Sequence, residues 1–423
     1  MDLTDSISRP VRAASSLLLS TAFLLSSIGL LGILIPVRGT EAGFNEALLG
    51  ALAGVYYVGF LIGTFVIPAL VRRIGHIRAF AFGATCAASV ALLHALSVSP
   101  ALWLALRLVD GVMMVGLYTI IESWLNAIAP ARHRGTIFAL YMMMNSGGLA
   151  FSQLLLRVGG APFMLFSVSA LLACAAVLPV VLTHQPQPAL QAAPRLRLPR
   201  LFKLAPAAGA GALLAGLGSG AFFGLGPVYA MGLGLDTDGV SLYMMVAILG
   251  GALLQTPLGY GSDHIDRRLA MACVALAACV LACTMVLSSS DHRAELILIF
   301  LYCGMSFAIY PMSVAHLVDH LSPDELLGAS SSVYFLYGLG SVFGPLVVGL
   351  AMTQIGARAL PIWFALVAAA LALYAAYRYR VFRRTQVRDR PFTPMMQTTR
   401  TVMEAAAVAR EEPGSEHRSG AGR

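Results

Sequence analysis

The sequence predicts an all-α polytopic membrane protein, with twelve transmembrane helices in two pseudo-symmetric six-helix bundles. Three observations predict it. Apolar runs of roughly 18 or more residues, each long enough to cross a bilayer, recur along the whole chain. Only 11% of the residues are charged and 58% are hydrophobic, with a mean hydropathy of +0.79, whereas a soluble domain is about one quarter charged. The second half of the chain also echoes the first at an offset of about 192 residues.

The first span is read at 14–37. Its surroundings, "RPVRAASSLLLSTAFLLSSIGLLGILIPVRG", resemble a secretory leader. The apolar stretch is longer than about 20 residues, however, and no small-x-small cleavage site follows in a polar context, so the segment reads as a retained span. Further apolar runs follow at 46–70, 79–98, 101–126, 136–157 and 161–183. Residues 184–205, "HQPQPALQAAPRLRLPRLFKLA", break the pattern. Rich in Pro and Arg, they read as a cytoplasmic surface linker between two domains, 1–183 and 206–380. The second domain repeats the pattern at 206–232, 239–261, 269–289, 294–318, 327–353 and 358–380. The tail, 381–423, is basic, then polar with Gly, Ser and Glu, and is expected to be largely disordered.

Orientation follows from the basic residues, which concentrate in cytoplasmic loops. With the N-terminus inside, the inner segments hold Arg9, Arg12, Arg72, Arg73, Arg78, Arg132, Arg134, Arg195, Arg197, Arg200, Lys203, Arg267, Arg268 and the arginines of the tail. The outer loops hold Arg38, Arg157, Arg293 and Arg358, and Arg107 lies within a span. Both termini are therefore expected in the cytoplasm. The net charge of +8 reads as this one-sided bias rather than a nucleic-acid footprint. The six cysteines lie in apolar runs without a CxxC and read as small buried hydrophobes, with no disulfide or zinc framework.

The repeat is carried by three matches. "RRIGHIR" (72–78) after span 2 answers "GYGSDHIDRR" (259–268) after span 8. "YTIIESWLNAIAPARHRG" from Tyr118 answers "YPMSVAHLVDHLSPDELLG" from Tyr310, and both end in Pro-x4-Gly. "GG" at 147–148 answers "GLG" at 338–340. Two similar bundles suit alternating access around a site near the bilayer midplane.

On these residues the chain resembles a transporter of the major facilitator superfamily along 10–382. Gly259, Asp263, Arg267 and Arg268 resemble that superfamily's G-x-x-x-D-x-x-x-R-R loop, and Arg107 with Gly111 its R-x-x-x-G signature. "ESWLN" (122–126) and "YPMSVAHLVDH" (310–320) are similar to a bacterial branch with poorly defined substrates. The resemblance implies a multi-pass protein of the bacterial inner membrane. It also implies that an acidic loop residue helps latch the two halves. The first-half loop has Arg72 in the acidic position and Pro68 in the Gly position, which leaves only Asp263 for that role.

Span 4 carries the densest chemistry. Arg107, Asp110, Gly111, Met114, Tyr118 and Glu122 fall on one helical stripe. A charge near the bilayer centre costs at least about 2.5 kcal/mol, so such a stripe faces a bundle interior or cavity. Arg107 and Asp110, at i and i+3, can pair. Two readings stand: a brace pinning span 4 to a neighbour, or a functional pair in which Arg107 binds an anionic group or modulates a proton-carrying Asp110. Glu122 lies roughly 22 Å further along the axis. It is either a helix-end carboxylate held by Arg132, Arg134 or the next loop, or a proton site or inner gate. In span 10, His316, Asp319 and His320 read as a helix-end hydrogen-bond network or as a gate mirroring Glu122; the two histidines at i and i+4 lack an evident third metal ligand.

Tyr118, Asn145, Gln153, Tyr310 and Tyr334 are candidate cavity liners. With Tyr56, Tyr57, Phe222, Phe223, Tyr243, Met244, Met245 and Tyr337 they suggest apolar walls with few polar anchors. No G-x-x-x-x-G-K-[ST] motif occurs, so energy must come from an ion gradient or the solute's own gradient. Intramembrane acids make protons the favoured currency. The expected function is secondary transport of a small organic solute by a monomer, with neither cofactor nor metal and no enzymatic step. Proton-driven efflux is favoured over uptake because no site feature points to a nutrient. A non-transporting receptor or scaffold is the alternative.

Overall fold

A computed structural model of the chain describes residues 3–130, 133–159, 162–183, 198–288, 291–320 and 323–381. Among the described residues it forms thirteen α-helices. The first six are α1 (Leu3–Glu41), α2 (Glu46–Ile74), α3 (His76–Leu96), α4 (Pro100–Ile128), α5 (Arg134–Leu155) and α6 (Pro162–Val181). A short α7 (Leu198–Leu204) precedes α8 (Pro206–Gly232), α9 (Thr237–Asp263), α10 (Arg267–Ser288), α11 (His292–His320), α12 (Pro323–Ile355) and α13 (Ala359–Val381).

Eleven of these helices are long and apolar enough to cross a membrane. The twelfth expected span, α5, falls short in composition because Arg134, Asn145, Ser146, Ser152 and Gln153 dilute it. It is nonetheless about 33 Å long at 1.5 Å per residue, and it packs between α1 and α9. The linker contains more structure than expected. α7 buries Leu201 and packs on α8 and α12. Residues 184–197 of the linker and the tail beyond 381, expected to be disordered, lie outside the described residues.

Local sequence dictates where helices turn. Gly43 takes φ 80°, and the side chain of Asn45 then accepts from Leu48 N at 2.9 Å to cap α2. The second half repeats the device. Gly234 takes φ 82°, and Asp236 caps α9 through Gly239 N at 2.8 Å.

The packing is pseudo-symmetric. α1 packs on α5 and α6, α2 on α4, and α3 on α4 and α6. In the same order α8 packs on α12 and α13, α9 on α11, and α10 on α11 and α13. Two helix pairs, α2 with α12 and α5 with α9, join the bundles and exchange under the same pseudo-twofold.

The bundles meet most closely at one end. We call this end, with the α1–α2 and α8–α9 turns, the distal face; the opposite end, with the start of α1 and the end of α13, is the terminal face. At the distal side a Cβ on Gly50 would overlap the Pro345 carbonyl, and one on Gly349 would meet the Glu46 carbonyl. Ser241 Oγ donates to Gln153 O at 2.5 Å, and Arg157 reaches Asp238 at 3.5 Å. At the terminal face α4 and α5 form no extensive interface with α10 or α11 among the described residues.

The cysteines depart from the sequence reading. Cys303 is buried, but Cys174, Cys273 and Cys283 are exposed on helix surfaces. In a lipid-facing helix, exposure carries no penalty for a small apolar side chain, so an apolar run does not imply burial in protein.

Candidate functional site

A cavity of about 170 Å³ lies between the bundles, walled by α1, α2, α4, α5, α8, α9, α11 and α12. Its walls are mostly apolar. Tyr56, Tyr57 and Phe60 come from α2, Phe223 from α8, Met244 from α9, Phe307 from α11 and Tyr337 from α12. Its polar groups are few: Arg107, Asp110, Tyr118, Ser146, Gln153 and Gln255. That is the usual composition of a small-molecule site, an apolar vessel with a handful of placed polar groups.

Arg107 and Asp110 are one turn apart on α4, and both are buried. Arg107 Nη1 donates to Asp110 Oδ2 at 2.7 Å. The guanidinium carbon stands 4.2 Å from the Tyr56 ring centroid, within cation–π range. The pair is held against α2 by the absence of a side chain at Gly111, where a Cβ would overlap the Tyr56 carbonyl. Arg107 Nε and Asp110 Oδ1 are buried and make no hydrogen bond. Each partner thus uses one hydrogen-bonding atom within the pair and leaves another buried without a partner, on residues that line the cavity.

Glu122 does not continue this wall. It is 1% exposed and accepts from Tyr141 Oη at 2.9 Å, which turns it toward α5. Of the expected partners, Arg132 lies outside the described residues, and the hydrogen bond to Tyr141 adds a partner from α5 that the sequence did not point to. From the other bundle, Tyr310 lies within electrostatic range of Glu122.

His316 and Asp319 lie at the terminal end of α11, away from the cavity. Arg267 Nε donates to Asp319 Oδ2 at 2.6 Å, and Arg267 Nη2 is 2.7 Å from Asp263. Arg268 grips Asp266 through its guanidinium at 3.0 and 2.7 Å and through its backbone N–H at 2.9 Å. Asp266 lies between the helices. Burial pushes its carboxyl up, but the Arg268 hydrogen bonds and the charges of Arg268 and His316 outweigh that and hold it below the usual range. Asp319 thus joins the loop cluster through Arg267. An offset of 192 makes the buried contact between His76 and Trp124, with ring centroids 6.3 Å apart, the counterpart of Arg268 and His316.

The sequence profile described as Major Facilitator Superfamily matches residues 17–339 and 252–413. The chain belongs to the major facilitator superfamily. Among relatives, the MFS-type transporter YcaD of Escherichia fergusonii is 27% identical over 341 residues, covering 79% of this chain and 88% of the relative. An MFS-type transporter of Enterobacter sp. strain 638 is 26% identical over 370 residues, covering 85% and 94%. Both relatives are described as uncharacterized. The fold matches the crystal structure of the nucleoside transporter NupG with a TM-score of 0.73 at 16% identity, covering 88% of this chain and all of that one. It also matches a bacterial homolog of the human lysosomal transporter Spinster, in an inward-facing and unoccupied conformation, with a TM-score of 0.71 at 14% identity, covering 90% and 98%. The protein is thus a multi-pass membrane transporter of this superfamily.

Within this MFS transporter, Gly259, Asp263, Arg267 and Arg268 of the expected loop signature gather around the α9–α10 turn, with Asp319 added from α11. Asp263 pairs with Arg267 within its own bundle. Of the expected cavity liners, Tyr118 and Gln153 form the wall, whereas Asn145, Tyr310 and Tyr334 stand behind it. Asn145 gives way to its neighbour Ser146. Tyr310 packs on Tyr337 with centroids 4.9 Å apart, and Tyr334 packs on Phe60 across the bundles at 5.7 Å. Phe222, Tyr243 and Met245 also lie outside the wall.

Sequence reasoning missed Gln255, which lines the cavity from α9; the signal was a lone amide in an apolar span. It also missed two buried ionisable groups near span ends. Glu295 accepts from Tyr229 Oη at 3.3 Å. His94 holds the Val90 carbonyl at 2.8 Å and stacks on Phe166.

Proposed function

We propose that this protein is a proton-coupled secondary transporter that exports a small organic solute from the cytoplasm across the bacterial inner membrane. The observation that carries the reading is the Arg107–Asp110 pair on the wall of the central cavity, with one buried oxygen of Asp110 left without a hydrogen bond. A carboxylate inside a membrane protein is costly unless it has a use. Here it sits where solute and proton would occupy the same ground in turn. Mutual exclusion of that kind gives antiport, and an inward proton gradient then drives the solute out.

The conformation supports alternating access. The bundles are packed at the distal face and, among the described residues, lack an extensive α4/α5 to α10/α11 interface at the terminal face. The bias of basic residues favours the terminal face as cytoplasmic, so the state is inward-facing. Rocking about the α2–α12 and α5–α9 contacts would open the distal side. In this reading Glu122 is a gate carboxylate between Tyr141 and the opposite bundle. The Arg267 cluster, including His316 and Asp319, braces the cytoplasmic end of the C-terminal bundle. The two bundles that wall the cavity are halves of the same chain, so a monomer suffices for the proposed cycle.

The test is solute flux in proteoliposomes under an imposed pH gradient. Outward solute movement should carry protons the other way and stop when the gradient is collapsed. Flux indifferent to the gradient would remove proton coupling. Cysteine labels that show no reciprocal change in access between the two faces would favour a non-transporting receptor or scaffold.

A further inference from the structure

The cavity has a specific hydrogen-bonding deficit. Three of its buried side-chain atoms lack partners: Arg107 Nε, Asp110 Oδ1 and Gln153 Oε1. The orientation of the Gln153 amide is fixed from its other end, since Nε2 donates to Leu149 O at 3.1 Å and to Ser152 Oγ at 2.9 Å. Gln153 is 3% exposed, Asp110 2% and Arg107 8%. A buried polar atom without a partner costs free energy that a matching ligand recovers. The deficit is one donor and two acceptors on residues that line the same cavity. A ligand that satisfies it offers two or more N–H groups and one acceptor oxygen close together.

Charge narrows the class further. Arg107 and Asp110 cancel, so the wall carries no net charge. A ligand with only an ammonium or only an acyl oxygen uses one half of the pair and leaves the other unmet. The rest of the wall is aromatic, with Tyr56, Phe223 and Phe307 among its members, and suits a flat apolar body.

We propose that the cavity binds a small amphipathic amino-acyl compound: an amine next to a carbonyl or carboxylate oxygen, carried on an apolar, preferably aromatic, body. The ammonium sits between Asp110 Oδ1 and Gln153 Oε1, and the acyl oxygen accepts from Arg107 Nε. The inference rests on the cavity being the solute site, as in the transport reading. It also supplies that reading with a means of exchange, because the ammonium and the coupling proton compete for one carboxylate.

Four probes test it by thermal stabilisation and titration of the purified full-length protein: phenylalanine, phenylalaninamide, phenethylamine and 3-phenylpropionate. Ligand binding to the folded state raises its apparent stability. Phenylalanine and phenylalaninamide should bind at least about tenfold more tightly than the two compounds that lack one of the groups. Gln153→Ala should weaken the two amino-acyl probes and narrow that gap. Equal binding of all four, tightest binding of 3-phenylpropionate or phenethylamine, or binding of none would overturn the assignment, and the wild-type comparison carries the test should the variant misfold. Discrimination with flux that ignores the pH gradient would remove proton coupling alone. Gradient-driven flux restricted to solutes without the amine–acyl pair would remove the ligand class alone.

Discussion

Arg107 and Asp110 share one hydrogen bond of 2.7 Å on the buried face of α4, and each leaves a second polar atom without a partner beside the central cavity. A pair that served only to brace the helix would gain from satisfying all of its atoms. This one is half-satisfied, the condition expected of a group that exchanges partners.

Arg107→Lys tests the geometry of the pair. An ammonium keeps the charge but loses the planar fork that reaches Asp110 while lying over Tyr56. Transport should fall by about tenfold or more, with the protein still folded. Near wild-type flux would show that charge alone suffices.

Tyr141→Phe removes the donor that holds Glu122 at 2.9 Å. Leaving a buried acceptor short of a partner costs about 1–3 kcal/mol, so the melting temperature should drop. Adding Glu122→Gln should restore part of that loss. A double-mutant cycle with no coupling would detach the two residues.

Gly349→Val tests closure of the distal face. A side chain there meets the Glu46 carbonyl and the Gly50 backbone, so α2 and α12 cannot approach. Access of a membrane-impermeant thiol reagent to a cysteine placed at Ala53, on the cavity wall, should rise several-fold from that side. Unchanged labelling would show that the α2–α12 contact does not set the closed state.

The Arg268–Asp266 pair gives a pH signature at the terminal face. The folded-state carboxyl of Asp266 is held below its usual value. Its contribution is therefore present above about pH 4 and is lost as pH falls through the lowered folded value. The wild type should lose thermal stability over that acidic range, and Asp266→Asn should lose less over the same range while starting lower at neutral pH. Parallel acid profiles for the two proteins would contradict the assignment.

The spans, the repeat and the polar stripe on α4 were legible in the sequence because each depends on one helix or on spacing along the chain. The Arg107–Asp110 bond is of this kind, since i and i+3 fix it on any helix. Contacts between helices were not legible. Glu122 finds Tyr141 on α5, and Asp319 finds Arg267 across 52 residues. In lipid a helix is apolar on nearly every side, so the pattern gives little information about which side meets which neighbour. The same indifference explains why Ser146 rather than Asn145 reaches the cavity: adjacent residues differ by about 100° around the helix, and only packing selects between them.

The central claim is that Asp110 carries the coupled proton. It is tested most directly by comparing wild type and Asp110→Asn in proteoliposomes, with net efflux driven by a pH gradient and solute exchange at equal pH measured on the same preparation. The wild type should show both activities. The variant should lose gradient-driven efflux by at least about tenfold, equivalent to roughly 1.4 kcal/mol, while retaining exchange. Gradient-driven efflux preserved in Asp110→Asn would assign the residue to structure and contradict the account.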